Sequence, residues 1–323
     1  MADRELGEGD MSGERDCGAD EVVAAIEAEF ARFPGSGGVA ARQLDTGEEI
    51  RVNADETTAT ASTIKVPILI ELFRQIEAGA LDLETRLPAS AAARTVGSGI
   101  LRELSEGVEL SIRDHATLMI VISDNTSTNV LIDLLGIDRI NQTMAELGFT
   151  RTQLRERLDF PKIGPDARNL AMTTPSELAA IMEALATGAI LNDESRAAIF
   201  DIMGRQHGLN LIPRYLPYYP HPGELGHPDN GLRIANKTGG WTGMRADMAL
   251  VEWPGVRYVA AIVIEGDPDR RFWAENAGDQ VIGRVSRLIF DHFGGAVLDD
   301  VDATPAAAPA EAPAQAEAPA SAH

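Results

Sequence analysis

Val22, Ala25, Ile26 and Phe30 recur at helical spacing and stop at Pro34 and the glycines behind it, which predicts an opening helix. Residues 38–44 and 49–53 then read as two short strands flanking Asp45-Thr46-Gly47-Glu48, a hairpin turn. Helical spacing returns over residues 63–79, where Ile64, Ile68, Leu72, Phe73 and Ile76 share a face and Pro67 sits early enough to be tolerated. Ser111 and Asp114 form a capping-box start for a helix carrying Leu118, Met119, Val121 and Ile122, and residues 130–135 open another. No period runs through residues 151–173, until Thr174-Pro175-Ser176-Glu177 supplies an N-cap, a first-turn proline and a glutamate placed for a capping box. A Pro-, Tyr- and His-rich loop over residues 213–230 precedes strand-like runs at 232–238, 247–253 and 257–265, the last two joined at Pro254-Gly255. A helix over residues 274–293 follows.

Strands at both ends with helices between them predict an α+β fold: one five-stranded antiparallel sheet assembled from the two ends, flanked by helices, beside an all-helical lobe over about residues 56–205. A site is expected in the cleft between the lobes. Residues 1–20 read as a disordered leader, 21–296 as the catalytic domain, and 297–323, an Ala/Pro alternation with scattered glutamates, as a disordered tail.

A chain of 323 residues with 44% hydrophobic content can bury a substantial core. Its formal charge of −22 argues against nucleic acid and anionic membrane surfaces as partners. The one cysteine, Cys17, excludes an intramolecular disulfide and a Cys-based metal site. His221 and His227 lack ligand spacing, so neither metal nor organic cofactor is expected. Residues 1–20 contain no apolar run that reads as a signal or anchor. That predicts a cytoplasmic protein if Met1 is the true start, and a periplasmic or extracellular one otherwise. A monomer without a membrane span is expected.

Three short segments carry chemistry. In Ser62-Thr63-Ile64-Lys65, a serine and a lysine three apart share a helix face, close enough for the amine to take the hydroxyl proton. Ser123-Asp124-Asn125 offers a hydroxyl that relays a proton and an amide that holds a substrate amide. Lys237-Thr238-Gly239 offers a cation for a substrate carboxylate, a hydroxyl donor and a glycine that lets a substrate backbone run beside the strand. Only Lys65, Lys162 and Lys237 are lysines among 28 basic residues, so a chain that prefers arginine keeps lysine at two of the three segments.

In this order and at these intervals the segments resemble the active site of the class A serine β-lactamases and their penicillin-recognising relatives. Asn129 with the apolar helix around it, and the Thr173-Thr174-Pro175 helix start, resemble that family too. The resemblance implies Ser62 as nucleophile, Lys65 as its base, Ser123 as proton relay, Asn125 as a substrate amide contact and Lys237 as electrostatic anchor. It further implies an oxyanion hole from the N–H groups of Ser62 and Gly240, and a carboxylate site at Thr238 helped by Arg245. The substrate would be a small molecule, a β-lactam or an acyl-D-Ala-like amide or ester.

One element departs. The Glu-x-x-x-Asn that class A enzymes carry before the Thr-Thr-Pro helix is replaced by Leu154-Arg155-Glu156-Arg157-Leu158-Asp159-Phe160. Glu156 or Asp159 would have to supply the base that releases the acyl group, unless both are held in salt bridges. If neither serves, the serine acylates and hydrolysis is slow, the behaviour of a penicillin-binding sensor. A carboxypeptidase or esterase reading stays open.

Overall fold

The computed structural model describes residues 12–224 and 226–303. In chain order the elements begin α1 (Ser12–Arg32), β1 (Ser36–Gln43), β2 (Glu49–Val52), β3 (Thr58–Ala59), α2 (Lys65–Glu77), β4 (Arg86–Pro88) and β5 (Glu109–Ser111). They continue α3 (Ile112–Val121), α4 (Asn125–Leu135), α5 (Ile137–Glu146), β6 (Gln153–Leu154), α6 (Phe160–Ile163), β7 (Ala171–Thr173), α7 (Pro175–Thr187) and α8 (Asp193–Gly204). The chain closes with β8 (Arg233–Trp241), β9 (Met244–Trp253), β10 (Val256–Glu265) and α9 (Ala277–His292).

The expected five-stranded antiparallel sheet forms in the order β2-β1-β10-β9-β8. Its central strands are buried on both faces and therefore read as nearly continuous apolar runs. Val259, Ala261 and Val263 of β10 face the core shared with α2–α8, while Tyr258, Ala260, Ile262 and Ile264 face the core beneath α1 and α9. The helix α7, inside the range assigned to the helical lobe, packs on β1, β9 and β10 instead.

Both ends depart from expectation. The helix α1 begins at Ser12 rather than after residue 20. Anchored by buried Val22, Ile26 and Phe30, it propagates upstream at one backbone bond per residue fixed. At the other end residues Gly295–Ala303 form a 3-10 helix that buries Leu298. The rest of the leader and tail lies outside the described residues. Among those described, no helix is long and apolar enough to cross a membrane.

The capping box at Ser111 is complete, each partner accepting from the other's backbone N–H. The one expected at Thr174 is half made. Its hydroxyl accepts from the Glu177 N–H at 3.1 Å. The Glu177 carboxylate turns away to the Arg151 N–H at 2.9 Å and the Thr152 hydroxyl at 2.7 Å, which tethers the start of the 151–173 loop.

Candidate active site

Ser62 lies in a 3-10 turn, Ala61–Ile64, that runs directly into α2. The turn is held by the Thr63 hydroxyl donating to the Thr60 carbonyl at 2.8 Å. Ala61 adopts φ +44°, a left-handed conformation that costs a residue with a β-carbon about 1 kcal/mol. The end of β8 presses on this turn. A β-carbon on Gly239 would stand 2.8 Å from the Thr60 carbonyl oxygen and 3.1 Å from the Ser62 nitrogen, so glycine is what lets strand and nucleophile approach. Among the described residues none hydrogen-bonds the Ser62 hydroxyl, which lines the cleft.

Lys65, one turn on and 1% exposed, donates to the Ser123 carbonyl at 2.8 Å, the Ser123 hydroxyl at 3.0 Å and the Asn125 side-chain carbonyl at 2.9 Å. Burial first, and then the Lys237 ammonium, push its amine well below the usual lysine range, against a smaller opposing pull from Asp124. Lys237, fully buried, donates to the same Ser123 hydroxyl at 3.2 Å and to the Thr238 carbonyl at 2.7 Å. Burial brings its amine down to about 7, with Asp247 pulling the other way. One hydroxyl thus sits between two amines whose burial favours the uncharged form.

Ser123 holds its place at φ +56°. Two neighbours fix it. Asp124 caps α4 by accepting from the Ser127 N–H at 2.8 Å, and its other oxygen accepts from the N–H groups of Ile100 and Leu101 at 2.7 and 2.8 Å. Ser98, which no sequence motif marked, donates to the Ser123 carbonyl at 2.7 Å and to the Asn125 side-chain carbonyl at 3.3 Å. Asn125 opens α4 rather than lying in a connection, and its amide N–H donates to the Val96 carbonyl at 3.0 Å. Both ends of that amide are engaged within the protein.

Ser62, Ser123, Asn125, Thr238, Gly239, Gly240 and Arg245 line a single cleft of about 1050 Å³, with the Lys65 and Lys237 amines bonded to its Ser123. Arg245, expected to help Thr238 hold a carboxylate, pairs with Asp279 at 2.8 Å and donates to the carbonyls of Trp241, Met244 and Arg271, leaving little of its fork for a substrate.

The loop carboxylates stand apart. Glu156 and Asp159 both approach Lys162, at 3.7 and 3.6 Å, and neither lines the cleft. The flanking guanidinium groups are engaged elsewhere: that of Arg157 pairs with Asp133 at 3.2 Å while its backbone N–H donates to Glu156 at 3.0 Å, and that of Arg155 donates to the Arg168 carbonyl. The cleft side of this loop is supplied by Leu158, Phe160, Gly164, Pro165 and Leu170. Asn129 sets that register, accepting from the Leu158 N–H at 2.8 Å and donating to the Leu158 carbonyl at 3.2 Å. An irregular loop carries no periodicity from which such a facing can be read.

A two-lobed α+β fold with this cleft defines a serine β-lactamase-like hydrolase. The Beta-lactamase enzyme family model matches residues 21–293, and the chain belongs to that family. A β-lactamase from Sphaerobacter thermophilus superposes with TM-score 0.74 at 33% identity, over 86% of this chain and 97% of its own. PBP-A superposes with TM-score 0.73 at 31% identity, over 84% of this chain and 96% of its own. A β-lactamase of Rhodobacter capsulatus is 25% identical over 82% of this chain and 86% of its own length.

Proposed function

We propose that the protein opens a β-lactam, or a related amide or ester, by forming an acyl-enzyme on Ser62, and that this acyl-enzyme is released slowly. The observation that carries the first half is the Ser123 hydroxyl, 3.0 Å from the Lys65 amine and 3.2 Å from the Lys237 amine, in the cleft that Ser62 lines. Neutral Lys65 takes the Ser62 proton as the oxygen attacks the carbonyl carbon. The Ser62 and Gly240 N–H groups hold the oxyanion. Ser123 passes the proton to the departing nitrogen or oxygen, and Lys237 with Thr238 holds the substrate carboxylate.

Slow release is supported by the loop, which offers Leu158 to the cleft and sets Glu156 and Asp159 beside Lys162. Among the described residues Asp279 is the one carboxylate in the cleft wall, and Arg245 holds it. A variant of PBP-A in which a leucine is replaced by glutamate, 31% identical to this chain, has been captured as an acyl-enzyme with penicillin G, which supports the acylation half of the reading.

The test is to mix the protein with benzylpenicillin and with a chromogenic cephalosporin, following intact mass and colour. A persistent adduct that disappears in Ser62→Ala is expected. An adduct retained in Ser62→Ala would remove the nucleophile assignment, and rapid colour with no lasting adduct would remove slow release alone.

A further inference from the structure

With an anionic substrate group at Lys237 and Thr238, β8 sets where the opposite end of the substrate lies. A strand advances about 3.3 Å per residue, so Trp241 stands roughly 10 Å beyond Thr238 along the same edge. There the wall becomes aromatic. Trp241 stacks on Phe160 with centroids 5.2 Å apart and planes 9° apart. Its indole N–H donates to the Pro165 carbonyl at 3.2 Å, which fixes the ring to the loop.

The segment after β10 adds Phe272, 68% exposed, and Trp273, 45% exposed. The Phe272 ring leans across Gly240, so that a β-carbon there would meet its edge at 3.0 Å. Beneath it lies Arg245, 4.3 Å from the ring centroid. Trp273 is held by its indole N–H to Asp269 at 2.9 Å and by the Arg271 guanidinium 3.6 Å from its ring centroid.

Two large apolar side chains left this open to water forgo the stabilisation that burial would bring. Both line the same cleft as Trp241 and Phe160. The electrostatics agree: in a chain of net charge −22, the charged residues lining the cleft are Arg245, Arg270 and Asp279, so this wall is apolar and faintly cationic.

We infer that this end of the cleft is an aryl subsite, and that the protein selects substrates whose acyl side carries a flat aromatic group packed against Trp241 and Phe272. The inference rests on the Ser62 reading for the direction in which substrate lies. Its test uses equilibrium binding, which needs no acylation. The full chain carrying Ser62→Ala is titrated calorimetrically with benzylpenicillin and with the acetyl counterpart, which keeps amide and carboxylate but lacks the ring.

Benzylpenicillin is expected to bind about 10-fold more tightly. Adding Phe272→Ala or Trp241→Ala should bring the ratio below about 3. Phe272 is exposed enough that its loss does not threaten folding. Equal affinities for the two ligands, binding of neither, or a preference untouched by both variants overturns the subsite. Adduct formation in the unmodified protein is read in parallel by mass. A retained aromatic preference without any adduct removes the nucleophile assignment and leaves the subsite standing.

Discussion

Replacing Leu158 by glutamate asks whether one apolar side chain is what preserves the acyl-enzyme. Leu158 is 4% exposed and lines the cleft with Ser62. Its backbone is fixed from both sides, by Asn129 and by the Thr95 hydroxyl donating to its carbonyl at 2.9 Å, so a new side chain inherits the same direction. The change forfeits about 2 kcal/mol of leucine burial and adds about 1–3 kcal/mol for a poorly solvated carboxyl. A fall in Tm of roughly 10 °C follows for a domain of this size.

Against that cost, a carboxylate able to draw a proton from water contributes about 10²–10⁴-fold to hydrolysis. The assay loads the protein with benzylpenicillin, removes the excess and follows adduct decay by intact mass. Leu158→Gln serves as the control of similar shape without a base. Adduct lifetime should shorten by that factor in Leu158→Glu and stay long in Leu158→Gln. Decay should accelerate as pH rises through a carboxyl pKa lifted by burial above its ordinary value of about 4.3. A Leu158→Glu protein that is folded by circular dichroism yet keeps its adduct as long as Leu158→Gln refutes the reasoning.

Acylation by an anionic substrate should weaken as pH rises past about 7, where Lys237 loses its proton. Asp247→Asn, which removes the charge that supports that proton, should move this limb to lower pH in a profile of second-order acylation rates. For stability the sign is the reverse: between about 7 and the ordinary lysine value of 10.5, the unfolded chain holds a proton that folded Lys237 has released. Tm should therefore gain from this group as pH rises through that window, and Lys237→Met should remove the gain. Ser98→Ala should cost acylation about 10-fold with Tm nearly unchanged, because it frees Ser123 and Asn125 without opening the core, and Ser98→Thr should restore the rate. Gly239→Ala should lower acylation about 100-fold by pushing strand and nucleophile turn apart, measured by the same mass assay.

The sheet was legible because its strands are apolar runs between turns, and the helix starts at Ser111 and Thr174 because caps are local chemistry. The three active segments were legible for the same reason, each being a few residues whose types have no better use together. What escaped depends on partners distant in the chain. The resemblance implied Arg245 as a helper of Thr238, and its pairing with Asp279, 34 residues away, does not show in the sequence. In the 151–173 loop Glu156 and Asp159 stood out, since acidity shows in a sequence and facing does not. The bonds from Asn129 put Leu158, between them, toward the nucleophile. Helix α5 buries Ile140 and Met144, and helix α8 Ile199, Ile202 and Met203, at the helical spacing that a sequence does show.

The scarcity of lysine acquires a physical reason from this geometry. Lys65 and Lys237 share one acceptor, the Ser123 hydroxyl, in a place almost free of solvent. Two guanidinium groups there would keep both charges, and no base would exist. Two amines can take separate roles. The Lys237 ammonium lowers the proton affinity of Lys65, while Asp124 and Asp247 pull Lys65 and Lys237 respectively the other way. In the proposed mechanism the anchor is thus part of what lowers the proton affinity of the base. In the same mechanism, loss of Lys237 would weaken substrate capture and also raise the Lys65 proton affinity, while burial, the larger cause, continues to hold it down.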